Sequence, residues 1–453
     1  MPMAERTRRV AVVGGGIAGL AAAWEAIGHD GVDVEVHESG ERFGGRIATS
    51  TLPLSTGDLA VDEGADAFLA RVPDAVDLCR ELGIETELVS PATGRAQVLA
   101  GGVLRDLPTN SVLGVPLDLD DLAATGIVSA VGLARVEAEV GRAGAPPTTD
   151  VTIGAFLTER LGAEVVDHLV GPLIGGINAG DVDRLSMRAV TPQLADAAED
   201  GGSLIEALRR RRADGPPQGP VFLAPVGGMG RLVDSVVDGC RSRGVRLFGG
   251  SSVNDLDSID ADVVIVTTPA PITARLVEPV SSAAAKELDQ IVHASVVLTT
   301  FAFDHHQVPD TDHSGFLVPR DAGLTMTAAS YGSNKWRQWD DGTHAVIRVS
   351  AGHAGDDRAI GLGDEALVAE LLDELRAHAG ITGDPVAVRL SRFRDGFAQY
   401  EVGHLDRVER IEAALRADAA RVRLAGSALR GVGVPACIRQ GRSTARALLD
   451  EWA

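Results

Sequence analysis

The sequence has few cysteines and no long hydrophobic run. Its three cysteines, Cys79, Cys240 and Cys437, lie far apart and lack the paired spacing of a zinc site or a redox-active dithiol. We therefore predict that they are reduced and buried. Apolar runs such as residues 263–267 are much too short to cross a bilayer as a helix, and no signal-peptide core precedes the first glycine-rich turn. These absences predict a cytoplasmic protein without a transmembrane segment.

Positive charge is also scarce. Lysine and arginine together number 42 against 64 aspartates and glutamates, which gives a formal net charge of -22. A phosphate backbone attracts a basic surface and is repelled by this one, so we predict no nucleic-acid partner. If the ligand is a small anion, its pocket must concentrate arginine or lysine locally against this acidic background.

The sequence does contain alternating strand and helix patterns near both ends. Residues 10–13 are apolar, residues 17–27 are alanine-rich and residues 32–37 alternate in period two, which predicts a βαβ unit. Between about residues 72 and 212 the pattern is mostly helical. Strand patterns return at residues 245–248, 263–266, 296–303 and 345–350. This order predicts an α/β fold whose nucleotide-binding core is assembled from separated segments around a helical insert.

A glycine motif lies between the first strand and the first helix. Gly14, Gly16 and Gly19 form the GxGxxG fingerprint, and Glu38 closes the following strand. The glycines permit a tight turn, a close approach of backbone to a pyrophosphate, and packing of helix on strand. The helix N-terminus attracts the negative charge, and Glu38 can accept hydrogen bonds from ribose hydroxyls. The pattern predicts dinucleotide binding and leaves FAD and NAD both open.

The residues after Glu38 resemble the flavin amine oxidase and protoporphyrinogen oxidase superfamily. Segment 38–46 matches the part of that family that leads from the ribose to the pyrophosphate, with Arg46 approaching the flavin phosphates. The glycines at 227–230 do not form a second strand, GxGxxG and helix unit. They resemble the segment that, in this family, comes directly before a helix that contacts FAD. The resemblance therefore implies FAD as the cofactor and dioxygen as the electron acceptor.

Further stretches narrow the resemblance to bacterial protoporphyrinogen oxidases and span nearly the whole chain. They are residues 63–68, 175–188, 315–320, 335–336, 399–404 and 429–438. Each stretch taken alone can be a turn or a group of core residues. The resemblance therefore rests on the order in which all of the stretches occur along the chain. Ala398 departs from the family's usual proline, and Ala436 departs from its usual acidic or amide residue beside the flavin ring.

The resemblance implies a Rossmann-type FAD-binding domain of the p-hydroxybenzoate hydroxylase-like kind, a mixed-sheet substrate-binding domain and a helical insert. We predict FAD-binding parts at residues 1–75, 216–295 and 386–453. A helical substrate region is predicted at 76–215, and a substrate-binding sheet at 296–385. The stretch 209–220, with its arginine run and Gly-Pro-Pro, is predicted to be a linker.

The resemblance also implies site residues. The predicted FAD contacts are Gly14, Gly15, Gly16, Ile17, Ala18, Gly19, Glu38, Ser39, Arg46, Gly64, Ala65, Asp66, Ala67, Val253, Gly426, Leu429, Val434, Pro435 and Ala436. The predicted substrate contacts are Arg95, Gly176, Asn178, Leu317 and Lys335. We predict no metal and no catalytic side chain, because the flavin N5 carries the hard chemistry.

In this family the substrate is a porphyrinogen, from which six electrons are removed in three rounds that each yield hydrogen peroxide. The signatures resemble the subgroup that oxidises coproporphyrinogen III, which has four propionates, in haem biosynthesis. Protoporphyrinogen IX, with two propionates, is the alternative substrate. An amine oxidase or carotenoid desaturase is a further alternative, although an aromatic cage is hard to build when aromatic residues are only 4% of the chain. A non-catalytic porphyrin carrier and transient contact with other haem-pathway enzymes also stay open.

Overall fold

The computed structural model describes residues 7–212 and 219–452, and the first of its two large sheets is wholly parallel. Each neighbouring pair in this parallel sheet runs in the same direction. Its strands come from three separated stretches of the chain, as the sequence pattern predicts. In spatial order they are Arg246–Phe248, Val32–His37, Arg8–Val13, Val263–Val266 and Val422–Leu424.

The second large sheet has seven strands and is mixed. Only the pairing between strands Gly315–Leu317 and Gln97–Ala100 is parallel. This confirms the predicted mixed sheet. The spatial order is Ala387–Ala398, His293–Asp304, His344–Ala351, Met326–Tyr331, Gly315–Leu317, Gln97–Ala100 and Val103–Asp106.

The five predicted domain segments stay predictions, although the mixed sheet contains residues from four of them. Strand Ala387–Ala398 belongs to the predicted segment 386–453, yet it pairs with strand His293–Asp304. Strand Gln97–Ala100 lies in the predicted helical region and pairs with strand Gly315–Leu317. Hydrogen bonding between strands therefore crosses the boundaries that the sequence suggests.

The structure also contains three small sheets that are separate from the two large ones. Their strands are Thr49–Leu54 with Gly57–Asp62, Phe222–Pro225 between Phe68–Leu69 and Leu88–Val89, and Ser111–Val112 with Val115–Pro116. Strand Phe222–Pro225 matters for the site, because it brings residues from beyond the helical insert next to the segment after Asp62.

The helical insert has its own apolar core. Several of its helices begin at a side chain that accepts a backbone N–H, as at Asp118, Ser129, Thr152 and Ser203, so the sequence itself marks their starts. The insert's helices are Leu119–Thr125, Ala130–Glu137, Ile153–Leu161, Ala163–Val165, Gly171–Asn178, Met187–Val190, Pro192–Glu199 and Leu204–Arg211, with a π-helical turn at Val166–Val170. Leucine, isoleucine and valine side chains from these helices form one buried cluster.

The remaining helices pack on the two sheets or on one another. They are Ile17–Ala26, Pro73–Glu81, Gly230–Ser242, Ala270–Val277, Ser282–Asp289, Gly332–Lys335, Arg358–Gly361, Asp364–Ala379, His404–Asp418 and Val434–Trp452. Within the part of the chain that the structure describes, none of the helices has the length and apolarity needed to traverse a bilayer. The three cysteines are free and buried, as predicted.

The predicted linker at 209–220 is wrong in its first part. Helix Leu204–Arg211 continues through the arginine run. Arg209 donates to the carbonyl oxygen of Leu117 at 2.8 Å, and Arg211 pairs with Asp200 at 3.1 Å, so these arginines have structural partners. Residues 213–218 of the predicted linker lie outside the described residues.

Candidate active site

A cavity of about 1430 Å³ is lined by residues of both large sheets. This volume exceeds the roughly 300–1,000 Å³ of an ordinary ligand pocket. The cavity therefore has room for a cofactor together with a large substrate. Its walls include the glycine turn, the segment around Gly64, the C-terminal end of helix Gly171–Asn178 and the loop before helix Val434–Trp452.

The glycine turn has the geometry that the fingerprint requires. Gly14 has a φ of +110°, and a Cβ there would lie 2.7 Å from Oγ1 of Thr267. A Cβ on Gly19 would lie 2.0 Å from the carbonyl oxygen of Gly14, so only glycine lets the helix pack this closely. Helix Ile17–Ala26 begins after Gly16 without a side-chain cap. Its first N–H groups are therefore available to an anion in the cavity.

Glu38 connects the end of the second strand to this turn. Its carboxylate accepts the Gly15 N–H at 2.7 Å and the Gly40 N–H at 2.8 Å. The side chain also lines the cavity, so its remaining acceptor capacity faces the predicted ribose position. The predicted ribose contact stays a prediction, and the structure adds a role in holding the glycine turn.

Arg46 provides a test of whether the site fits a flavin dinucleotide. The guanidinium donates to the carbonyl oxygen of Asp395 at 3.1 Å and lies 3.4 Å from Oγ of Ser427. Burial lowers the pKa of Arg46, and within residues 7–212 and 219–452 it forms no ion pair. A half-buried cation that lines the cavity without an ion-pair partner favours an anionic ligand. The pyrophosphate of FAD is such an anion.

Tyr400 holds the loop that precedes helix Val434–Trp452. Its hydroxyl donates to the carbonyl oxygen of Ser427 at 2.7 Å and accepts the Gly431 N–H at 2.8 Å. Gln440 adds to the same loop, because its side-chain nitrogen donates to the Gly431 carbonyl at 3.3 Å. The loop wall of the cavity is thus held by one side chain that follows strand Ala387–Ala398 and one from helix Val434–Trp452.

Asp66 is the centre of a charged cluster at the cavity wall. Its carboxylate accepts Lys335 Nζ at 3.0 Å and the Trp336 indole N–H at 3.1 Å, and Arg348 lies 3.6 Å away. Burial acts to raise the pKa of Asp66, but the charges of Lys335 and Arg348 outweigh it, so the pKa lies well below its ordinary value. Asp66 is therefore ionised and already paired.

One face of the mixed sheet forms a further wall. Val296 and Leu298 on one strand, and Arg348 and Ser350 on its neighbour, line the cavity. Alternate residues of a strand share a face, so both pairs point the same way. Thr327 from the next strand lies beside Ser350, with 2.9 Å between their hydroxyl oxygens. The wall combines an apolar area with one cation.

Most predicted site residues line this cavity. Among the predicted FAD contacts only Gly15, Gly19 and Leu429 do not, and the predicted substrate contacts Gly176 and Asn178 do. Gly15 and Gly19 belong to the glycine turn but do not face the cavity. Leu429 is buried, and its carbonyl oxygen accepts a hydrogen bond from Nε2 of His404 at 2.8 Å. The binding roles of all these residues stay predictions.

Three predicted substrate contacts are not among the lining residues. Arg95 is exposed and forms ion pairs with Asp106 and Asp312. Leu317 packs against the core of the helical insert, near Gly176, where an added Cβ would lie 3.8 Å from it. Lys335 does not line the cavity, but its Nζ donates a hydrogen bond to the carboxylate of Asp66, which does.

Sequence reasoning missed several basic residues that line the cavity. Arg320 is the last residue of the 315–320 stretch that resembles the family, so its place in that motif was a usable signal. Arg348 lies within a strand. In the sequence, only its two-residue spacing from Ser350 indicates that the two side chains lie on the same face of the sheet. His353 follows Gly352, whose φ of +89° turns the chain at the end of the strand.

Comparisons with known proteins agree with this geometry. A family described as flavin containing amine oxidoreductase matches residues 17–449. The chain is 29% identical to the coproporphyrinogen III oxidase of Bacillus subtilis (strain 168) over 97% of this chain and 98% of that protein. It is 33% identical to the coproporphyrinogen III oxidase of Mycobacterium leprae (strain TN), covering 99% of both chains.

A solved structure from Exiguobacterium sp. 255-15, provisionally assigned as a protoporphyrinogen oxidase, is also similar. It has a TM-score of 0.88 and 30% identity, covering 98% of this chain and 99% of that one. These matches confirm the family resemblance, the fold class and FAD as the cofactor that were predicted from the sequence. The chain therefore belongs to the family of flavin containing amine oxidoreductases, in which it is similar over nearly its whole length to coproporphyrinogen III oxidases.

Proposed function

We propose that this chain oxidises coproporphyrinogen III to coproporphyrin III in haem biosynthesis, with FAD as cofactor and dioxygen as electron acceptor. Relatives that match nearly its full length carry this activity in their names. Bound FAD supplies a two-electron acceptor that dioxygen reoxidises with release of hydrogen peroxide, so six electrons require three rounds. The chain's own residues must then bind the cofactor, orient the macrocycle and keep water away from the reacting carbon.

The charge of the cavity wall is the observation that carries this proposal. Among the residues that the structure describes, six arginines and two carboxylates line the cavity, in a protein with a net charge of -22. The arginines are Arg46, Arg275, Arg320, Arg348, Arg430 and Arg439, and the carboxylates are Glu38 and Asp66. This is the local concentration of cations that an anionic ligand requires. A pyrophosphate and a substrate with four propionates together account for it.

We propose that Gly16, Ile17 and Ala18 offer backbone N–H groups to the pyrophosphate, with Arg46 as the balancing charge. Glu38 holds the turn and faces the ribose. Helix Gly171–Asn178 presents Gly176, where a Cβ would meet only Leu317, so a flat ring can lie close to the backbone there. Val296 and Leu298 on the mixed sheet would contact its apolar face and exclude water.

The test compares turnover of two substrates by the purified, FAD-containing protein. Coproporphyrinogen III and protoporphyrinogen IX are prepared anaerobically and then aerated with enzyme under equal conditions. Porphyrin fluorescence reports the product and a peroxide assay reports the reduced oxygen, with FAD-free protein as the control. We expect peroxide to accompany coproporphyrin III in a three-to-one ratio, as three two-electron rounds require.

Two results would change the proposal. A strong preference for protoporphyrinogen IX would replace the substrate. A protein that retains FAD but gives neither porphyrin nor peroxide would instead favour a non-catalytic porphyrin carrier. A preparation that neither contains FAD nor takes it up would overturn the whole proposal.

A cytoplasmic location and transient contact with other haem-pathway enzymes are further proposals. Both rest on the family resemblance. Cell fractionation with an antibody to the chain tests the first, and cross-linking in intact cells tests the second.

A further inference from the structure

We infer that Arg320 binds one carboxylate group of the substrate at the mixed-sheet side of the cavity. The inference rests on the proposed function, because it assumes a substrate with carboxylate substituents. It concerns a residue that none of the family signatures marks as a ligand. The six arginines of the cavity wall differ in their partners and positions.

Four of the six arginines lie within 3.8 Å of a carboxylate of the protein, and two of these four belong to the C-terminal segment. Arg430 forms an ion pair with Glu412, and Arg439 lies 3.8 Å from a carboxylate oxygen of Asp74. Both arginines belong to the segment that forms the loop and the last helix. Each cation is at least partly neutralised before any ligand arrives.

Three more arginines lie on other parts of the cavity wall. Arg46 contacts the loop at Ser427, opposite the glycine turn. Arg348 donates to the carbonyl oxygen of Gly64 at 2.9 Å and so supports the wall segment that carries Asp66. Arg275 lies on helix Ala270–Val277, which follows the end of a parallel-sheet strand. Arg320 is the remaining cation.

Arg320 is held in place with its head still accessible. Its guanidinium donates to the carbonyl oxygens of Gly180 at 3.0 Å and Ala354 at 3.3 Å, and it lies 3.3 Å from Asp181. These bonds use three of the five guanidinium N–H groups. The side chain is 41% exposed, so the others can reach a ligand. A pre-oriented guanidinium binds a carboxylate with little further loss of entropy.

The surroundings of Arg320 suit the edge of a macrocycle. Gly176 and Asn178, on the helix just before Gly180, line the same cavity, and so does His353. Burial and the charge of Arg320 lower the pKa of His353, so this imidazole is neutral near pH 7. The positive charge next to Gly180 and Ala354 is therefore that of Arg320, partly offset by Asp181.

Arg95 is the rival for this role, since the sequence resemblance assigns it a substrate contact. It is 55% exposed, paired with two aspartates and not among the residues that line the cavity. If Arg320 binds the substrate carboxylate, substituting Arg320 weakens ligand binding and substituting Arg95 does not. If Arg95 binds it, the reverse result is expected.

The experiment measures binding of coproporphyrin III, the stable product, to the FAD-containing protein by fluorescence titration. We expect Arg320→Gln to weaken binding about tenfold to a hundredfold, the range for a lost charge-assisted hydrogen bond, with Arg320→Lys in between. In turnover assays, KM for coproporphyrinogen III should rise while kcat changes less. FAD content and thermal stability are measured for each variant.

Arg358→Gln is the matched control. Arg358 is a similarly exposed arginine of the neighbouring turn, is paired with Asp356 and lies outside the cavity lining.

A second variant, Asp181→Asn, separates ligand binding from structural support. It removes the competing negative charge while keeping Arg320, so we expect coproporphyrin III to bind a few-fold more tightly. A purely structural role of the Arg320 and Asp181 pair would make binding weaker.

Several outcomes would overturn the inference. These are an Arg320→Gln variant that binds coproporphyrin III as the wild type does, an equal loss in Arg358→Gln, or a loss in Arg95→Gln alone. Wild-type protein that holds FAD but neither binds coproporphyrin III nor oxidises its porphyrinogen refutes the proposed function itself, and this inference with it. Wild-type turnover with an unaffected Arg320 variant refutes only the role of Arg320.

Discussion

Tyr400 and Tyr331 are the two tyrosines of the sequence, and their hydroxyls differ in what they do. The Tyr400 hydroxyl bridges Ser427 and Gly431 in the cavity loop. Tyr331 is also buried, but among the residues that the structure describes its hydroxyl has no hydrogen-bond partner. The hydroxyl of Tyr400 thus holds a loop by hydrogen bonds, whereas the Tyr331 side chain only packs.

This contrast gives a matched pair of substitutions. We expect Tyr400→Phe to lower the free energy of unfolding by about 1–3 kcal/mol and to weaken FAD binding, because Gly431 N–H and the Ser427 carbonyl lose their partner. Tyr331→Phe should leave both quantities nearly unchanged. Urea unfolding and titration of FAD-free protein with FAD measure the two effects. Equal behaviour of the two variants would contradict the role of the Tyr400 hydroxyl.

His404 stacks on Tyr400, with ring centroids 4.0 Å apart, and is only 2% exposed. Burial lowers its pKa to about 4 from an ordinary value of 6.5. The folded protein therefore takes up this proton later than the unfolded chain as pH falls. The stability that His404 contributes is complete above about pH 6.5 and is lost as pH falls towards 4.

The predicted loss is about 3 kcal/mol at most across this interval, from 1.36 kcal/mol per unit of pKa difference. His404→Phe keeps an aromatic ring against Tyr400 but cannot titrate. We therefore expect the difference in unfolding free energy between wild type and variant to shrink between pH 6.5 and 4. Unfolding curves collected at several pH values measure it, and a constant difference would contradict the prediction.

At the scale of secondary structure, two helices meet so closely that one residue of their contact must be glycine. A Cβ on Gly441, in helix Val434–Trp452, would lie 2.1 Å from the carbonyl oxygen of Ala18. Ala18 belongs to the first turn of helix Ile17–Ala26, directly after the glycine turn. The contact thus joins the last helix of the chain to the predicted phosphate-binding turn.

Gly441→Ala should force these helices apart. We expect a loss of about 1–3 kcal/mol in stability, together with weaker FAD binding, because the first turn of helix Ile17–Ala26 must shift. Gly361→Ala is the control, since a Cβ there meets nothing within 4 Å and the substitution stays within a helix. Thermal unfolding and FAD titration compare the two. Similar effects of both variants would show that the helix contact tolerates a methyl group.

At the scale of the whole molecule, the cavity and the surface have opposite charges. The net charge of -22 repels an anionic substrate at long range, while six arginines attract it within the cavity. Salt shortens the reach of both effects. The screening length is about 30 Å at 0.01 M, 10 Å at 0.1 M and 3 Å at 1 M. The distant acidic charges are therefore screened first.

We predict that the affinity for coproporphyrin III passes through a maximum near 0.1 M salt. It should rise between about 0.01 and 0.1 M as the surface repulsion is screened, and fall towards 1 M as the arginines are screened. Titrations at constant pH measure this dependence. Arg320→Gln should lose less affinity on the high-salt side than wild type. An affinity that changes in one direction only would contradict the prediction.

The sequence by itself determined the features that depend on neighbouring residues. The strand, glycine turn and helix around Gly14, and Glu38 at the end of the next strand, are local structures whose signals lie within about 30 residues. The order of the longer motifs identified the family and with it FAD. Even the missing capping side chain at Gly16 follows from the fingerprint.

Only the tertiary structure decided which cations face the cavity. Arg320, Arg348 and Arg95 are chemically alike in the sequence, yet the first two line the cavity and the third is paired at the surface. Arg348 lies within a strand of the mixed sheet, whereas Arg95 and Arg320 lie next to paired strands that are far apart from each other in the chain. A shift of one residue in the pairing of its strand would turn Arg348 to the other face, and no local pattern specifies that register.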